Sequence, residues 1–137
     1  SDFDPNRHMR HTAYNDYSSE VRVRYFKSQN ISVDDFAKDN LGPILFKEDT
    51  SFYREIKIGE TISVNILLKA LSDDLSRWKI QHHVFNEAGV LSAEINVYGA
   101  WIDLTKRKLA SPSANYSTLF EALEKTSDFE KIIRKSS

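Results

Sequence analysis

Ten residues near the N-terminus concentrate the side chains of this chain that can do chemistry. Asp2-Phe3-Asp4-Pro5-Asn6-Arg7-His8-Met9-Arg10-His11 holds two carboxylates, an amide and two of the four histidines. A carboxylate or imidazole in such a stretch can act as a nucleophile, or as a general base for water attacking a carbonyl. That attack needs a donor for the developing oxyanion. The start of a helix supplies one, since its first N–H groups are unpaired and its dipole is positive there. The same residues also allow a plainer reading, with Asp4 or Asn6 as a helix cap, Asp4-Pro5 as a turn and the histidines at the surface. Elsewhere the signals are thinner. His82 and His83 are adjacent in an alternating run, so they point to opposite faces of a strand and cannot converge on a metal; no metal site is expected. Lys106-Arg107-Lys108 is a basic turn that either meets phosphate or is merely solvated.

Downstream elements must position this stretch. Met9, Ala13, Tyr14, Tyr17, Val21 and Tyr25 recur at steps of 4, 1, 3, 4 and 4, which predicts a helix over about 10–26. Val23 and Phe26 widen its apolar side, so it reads as a central helix. Ser32 with Asp35 three residues on is a weak capping box for a second, shorter helix, ended around Asn40-Leu41-Gly42-Pro43. From Ile44 the period becomes two. Ile62 to Lys69, Trp78 to Phe85 and Leu91 to Trp101 alternate, separated by Ser72-Asp73-Asp74 and Asn86-Glu87-Ala88-Gly89, and tight turns imply an antiparallel sheet of about four strands. Leu119, Phe120, Leu123, Phe129, Ile132 and Ile133 stand at helical spacing, with Ser127 and Glu130 as a capping box, and predict a C-terminal helix. The order is α+β, with the long helix inside the curve of the sheet.

Composition removes several classes of function. At 137 residues, 40% hydrophobic and 28% charged, the chain is one globular domain with a core of its own. Nineteen Lys and Arg against 20 Asp and Glu give a net charge of -1, so no global field gathers nucleic acid, and no nucleic-acid partner is expected. The absence of cysteine excludes disulfides, thiolate metal sites and a Cys nucleophile, and is compatible with a cytoplasmic setting. No apolar run approaches the roughly 20 residues that span a bilayer, and the N-terminus lacks a signal-peptide pattern. Ser1 in place of Met suggests that a short upstream segment has been trimmed.

Asp2-x-Asp4-x-Asn6-x-His8-Met9-x-x-x-x-Tyr14 resembles the signature of hotdog-fold acyl thioesterases, in which D-x-D-x-x-G-H-V-N-N-x-x-Y joins the first strand to the central helix. Leu41-Gly42-Pro43-Ile44, Tyr53 and Ile58-Gly59-Glu60-Thr61-Ile62-Ser63-Val64 are similar to the family's second and third strands. Trp101-Ile102-Asp103-Leu104-Thr105-Lys106-Arg107-Lys108 followed by Pro112 is similar to its final strand. The resemblance covers nearly the whole chain in the right order. It implies a single hotdog thioesterase domain over residues 1–137 with its first strand truncated, which would leave a sheet edge open.

The resemblance further implies hydrolysis of an acyl-CoA or acyl-carrier-protein (acyl-ACP) thioester in fatty-acid metabolism, without a cofactor, by a homodimer or homotetramer. Asp4 falls on the carboxylate of the 4-hydroxybenzoyl-CoA thioesterase pattern, as base or nucleophile, and the backbone N–H of His11 on its oxyanion donor. A related bacterial pattern has a histidine side chain at the place of His11. Plant acyl-ACP thioesterases carry N-x-H, which falls on Asn6 and His8, while their Cys has no counterpart here. Tyr14, with Tyr17, falls on the acyl tunnel, and Lys106 and Arg107 on contacts to CoA phosphates. Two departures stand out: Arg7 replaces the usual glycine, and Arg10-His11 replace the Asn-Asn pair. A non-catalytic acyl-binding dimer and a hotdog hydratase share the scaffold and are the alternatives.

Overall fold

The computed structural model describes residues 11–57, 59–113 and 116–133, with the backbone alone for residues 11, 12 and 33. In chain order the elements are α1 (His11–Ser28), α2 (Val33–Lys38), β1 (Leu41–Phe52), β2 (Ser63–Val64), β3 (Leu67–Ser72), β4 (Arg77–Phe85), β5 (Leu91–Asp103), α3 (Ser117–Glu121) and β6 (Lys125–Ile132). One sheet runs β1-β5-β4-β3-β6, with β2 pairing β4 in line with β3. The β1–β5, β5–β4 and β4–β3 pairs are antiparallel, whereas β3 and β6 run parallel.

Alternation explains the central strands. In β4, Trp78, Ile80, His82 and Val84 turn to the face that α1 covers, and all four are buried. The opposite face is stitched by side chains: Gln81 donates to Asn96 at 2.9 Å, Asn96 to Asp49 at 3.3 Å, and His83 pairs with Glu94 at 3.3 Å. The covered face packs on α1 and α2. Phe36 of α2 lies 4.5 Å from the Trp101 ring and 5.6 Å from Phe26 of α1, so an aromatic cluster closes one end of the core. Gly99 is required beneath it, because a β-carbon there would meet the Trp78 ring and the carbonyl oxygen of Ile44 at 2.8 Å.

Three expectations are corrected. The C-terminal helix is limited to α3; residues 125–132 form an edge strand instead, and Ser127 and Glu130 cap nothing. Strand β6 advances from Lys125 opposite Leu68 to Glu130 opposite Ala70, a bulge that resets its alternation. Thr126, Phe129 and Ile132 are consequently its half-buried residues, at three-residue steps that imitate a helix. Second, Gly42-Pro43 does not end α2. The Ser32–Asp35 capping box opens that helix, the reversal comes at Asn40 with a φ of 58°, and Gly42 and Pro43 belong to β1. Proline is tolerated there because β1 is an edge of the sheet among the described residues. Third, the run from Ile62 to Lys69 is divided at Asn65 into β2 and β3.

Candidate functional site

Among the described residues helix α1 runs from His11, the last residue of the polar N-terminal stretch, so the helix follows that stretch directly in the chain. Asp4, Asn6 and His8 lie outside the described residues, as does the side chain of His11. The surroundings of the helix start are described. Tyr14 is buried and meets Phe52 of β1 edge to face, with ring centroids 5.1 Å apart. One residue on, Asn15 accepts from Thr50 at 3.2 Å. Burial, and then the negative charges of Glu55 and Glu60, raise the Tyr14 hydroxyl above the usual tyrosine value. The end of β1 and the segment after it therefore bring an aromatic wall and two carboxylates toward the first turn of α1.

Neither Glu55 nor Glu60 carries a signal in the sequence that places it beside Tyr14. Gly59-Glu60 reads as the approach to a strand, and the Glu60 carboxylate does have a local role, accepting from the Lys57 N–H at 2.7 Å. No spacing rule links either glutamate to Tyr14, about 40 residues upstream.

Lys106 and Arg107 stand elsewhere. Asp103 at the end of β5 pairs with Leu41 at the start of β1, whereas Thr50 lies beside α1's first turns. Along the strand that separation is on the order of 30 Å. The turn holding the two basic residues is well made: Asp103 accepts the N–H groups of Thr105 at 2.9 Å and Lys106 at 2.8 Å, and the side-chain amide of Asn40 at 3.1 Å. These bonds hold the Asp103 carboxyl below its usual range. Within one chain the structure thus brings Tyr14 to the helix start and leaves Lys106 and Arg107 at the far end.

A second polar feature lies midway along α1, under the helix. Ser18, Arg22 and His82 are all buried, Arg22 being 9% exposed and His82 fully enclosed. Burial, with the charges of Arg22 and His83 adding to it, lowers His82 to about 4 against a raising effect from its bond to the Asn65 carbonyl. Ser18 and Arg22 interrupt the apolar stripe in the sequence, and Arg22's partner His82 lies 60 residues away, so neither was legible as a core residue.

A family model, that of the thioesterase-like superfamily, matches residues 1–126. The chain belongs to this superfamily. No functionally curated sequence matches it significantly. Among solved structures, a Staphylococcus aureus protein in complex with CoA superposes with a TM-score of 0.80 at 20% identity, covering 98% of this chain and 89% of that one. The DHNA-CoA thioesterase from Staphylococcus aureus gives 0.77 at 16% identity over 88% and 82% of the two chains. The 1,4-dihydroxy-2-naphthoyl-CoA thioesterase from Synechocystis gives 0.77 at 16% identity over 87% of each. These likenesses establish the fold: this superfamily member is a hotdog, its sheet wrapped around α1. None of its described helices is long and apolar enough to cross a membrane.

Proposed function

We propose that this superfamily member hydrolyses the thioester bond of an acyl-CoA. The observation that carries the reading is the family match over residues 1–126, which includes both the D-x-D stretch and helix α1 that follows it. CoA as the carrier is supported by the CoA-bound neighbour and by two neighbours that act on CoA thioesters; acyl-ACP remains the second carrier of the same chemistry. In this reading the thioester oxygen accepts from the His11 N–H at the positive end of α1, and Asp4 activates water or attacks the carbonyl. Tyr14 and Phe52 wall the acyl side. Glu55 and Glu60 add negative charge that favours an uncharged acyl group over an anionic one.

The site is completed by a second copy of the chain. Strand β1 pairs only β5 among the described residues, and along it and just after it Leu45, Phe46, Phe52 and Tyr53 are 41–53% exposed. An open edge of twelve residues carrying apolar side chains is the kind of surface a twofold partner covers. Lys106 and Arg107, remote from α1's start in their own chain, serve CoA phosphates at a site shared across that boundary.

Thiol release from a panel of CoA thioesters tests the reading. Asp4→Asn is expected to abolish most turnover; full turnover would transfer the role to Asn6 and His8. His11→Ala keeps the backbone amide, so near-normal turnover assigns the amide alone, and a loss of about a hundredfold or more adds the imidazole.

A further inference from the structure

At Asn65 the β2–β3 strand is broken in a specific way. Pairing of Val64 with Val84 and of Leu67 with Gln81 keeps one register across the break. The Asn65 N–H still donates to the His83 carbonyl at 3.2 Å. The reciprocal bond is exchanged: the His83 N–H donates to the Asn65 side-chain oxygen at 2.6 Å rather than to its carbonyl. That substitution releases the Asn65 carbonyl, which lies 2.7 Å from Nδ1 of His82. A carbonyl only accepts, so Nδ1 carries the ring proton. On the other side of the ring, Nη1 of Arg22 is 3.0 Å from Nε2, and a guanidinium only donates, so Nε2 is the bare nitrogen. Both neighbours demand the same neutral tautomer. Arg22 is steadied in turn by the Ser18 hydroxyl at 3.4 Å and by the charge of Glu48 on β1.

We propose that Asn65, His82 and Arg22 are positioning residues, a relay that fixes where the first turn of α1 stands over the sheet. The inference rests on the thioesterase reading for its consequence, since that turn carries the His11 amide. Apolar contact under α1 resists separation but is non-directional and permits sliding along the sheet. A buried guanidinium seated on one ring nitrogen adds a directional restraint midway along α1 to that of the Thr50–Asn15 hydrogen bond nearer its start. Stability alone does not call for this arrangement, because replacing a buried charged group and its polar partners by well-packed apolar side chains of similar volume is often neutral or stabilising. The relay adds a unique placement. Arg22 is 11 residues from His11, about 17 Å along a rigid helix, and an error of roughly 1 Å in a reacting group costs up to about a hundredfold in rate.

Two measurements on the intact chain test this. In long-range proton–nitrogen spectra without substrate, His82 is expected neutral with its proton on Nδ1 at pH 7, its signals identified by their loss in His82→Gln. A proton on Nε2, or a charged ring, overturns the relay whatever the enzyme does. In Arg22→Met the backbone amide signals of residues 11–14 should move, and in Arg22→Lys they should return toward their original positions. Asn65→Ala, which breaks the relay at its far end and leaves Arg22 in place, should move the same signals. Unmoved signals in either folded variant refute a positioning role. Turnover by Arg22→Met should fall about tenfold or more with KM within about twofold, as expected for a misplaced helix start rather than lost binding. Absence of thioester hydrolysis in the unaltered protein would refute the functional reading and leave the tautomer and amide tests of the relay standing.

Discussion

Lowering the pH from 6.5 to 4 should destabilise this protein through a buried residue, His82. Its ring is enclosed in the core, bonded to the Asn65 carbonyl and faced by the Arg22 cation, and burial first, then the neighbouring positive charges, lower it to about 4. In the unfolded chain the same ring titrates near 6.5. Between those values the unfolded state binds the proton and the folded state does not, so stability rises with pH across this window and is lost as pH falls through it. The gap corresponds to about 3 kcal/mol at roughly 1.4 kcal/mol per pH unit, and the loss levels off below the folded value. Asp35, Asp103 and Asp128, held below the usual carboxylate range by hydrogen bonds, lose their contributions at lower pH, chiefly beneath this window. Urea unfolding followed by tryptophan fluorescence at several pH values between 7 and 4 measures the effect, with His82→Gln as the reference. The stability difference between the two proteins should shift by about 3 kcal/mol across the window, in the direction that disfavours the original protein in acid. A difference that is independent of pH would mean that the fold does not hold the His82 ring neutral.

Particular contacts fix the other outcomes. Gly99→Ala should cost about 1–3 kcal/mol in chemical denaturation, because the added carbon meets the Ile44 backbone oxygen at 2.8 Å as well as the Trp78 ring; an unchanged midpoint would contradict that packing. Sedimentation should give a dimer or larger at micromolar concentration, and Phe46→Glu on the open edge strand should weaken it; a clean monomer in the unaltered protein would count against the shared site. Lys106→Ala with Arg107→Ala should raise KM for a CoA thioester while leaving KM for the matching pantetheine thioester unchanged, and equal effects on both would remove these residues from phosphate binding.

Much of the fold was legible because its strands obey period two. Trp78 to Phe85 and Leu91 to Trp101 sit within β4 and β5 almost to the residue, and the Ser32–Asp35 capping box opens α2 as its spacing says. Strand β6 was not legible, since a bulge against β3 sets Thr126, Phe129 and Ile132 at steps of three and an edge strand needs little further burial. At the site, helix α1 and the burial of Tyr14 could be read from the stripe. Ser18 and Arg22 could not, because a buried polar residue is recognised only with its partner, and His82 reaches them through the fold rather than through spacing. The approach of Glu55 and Glu60 to Tyr14 is hidden for the same reason.

Thiol release from acyl-CoA substrates, aromatic and aliphatic, compared between the unaltered protein and Asp4→Asn, separates thioester hydrolysis at Asp4 from acyl binding and from hydration. The unaltered protein is expected to hydrolyse at least one CoA thioester, and Asp4→Asn to lose about a hundredfold or more in rate while still folded. Tight acyl-CoA binding without thiol release, or loss of enoyl absorbance in place of thiol release, would contradict it.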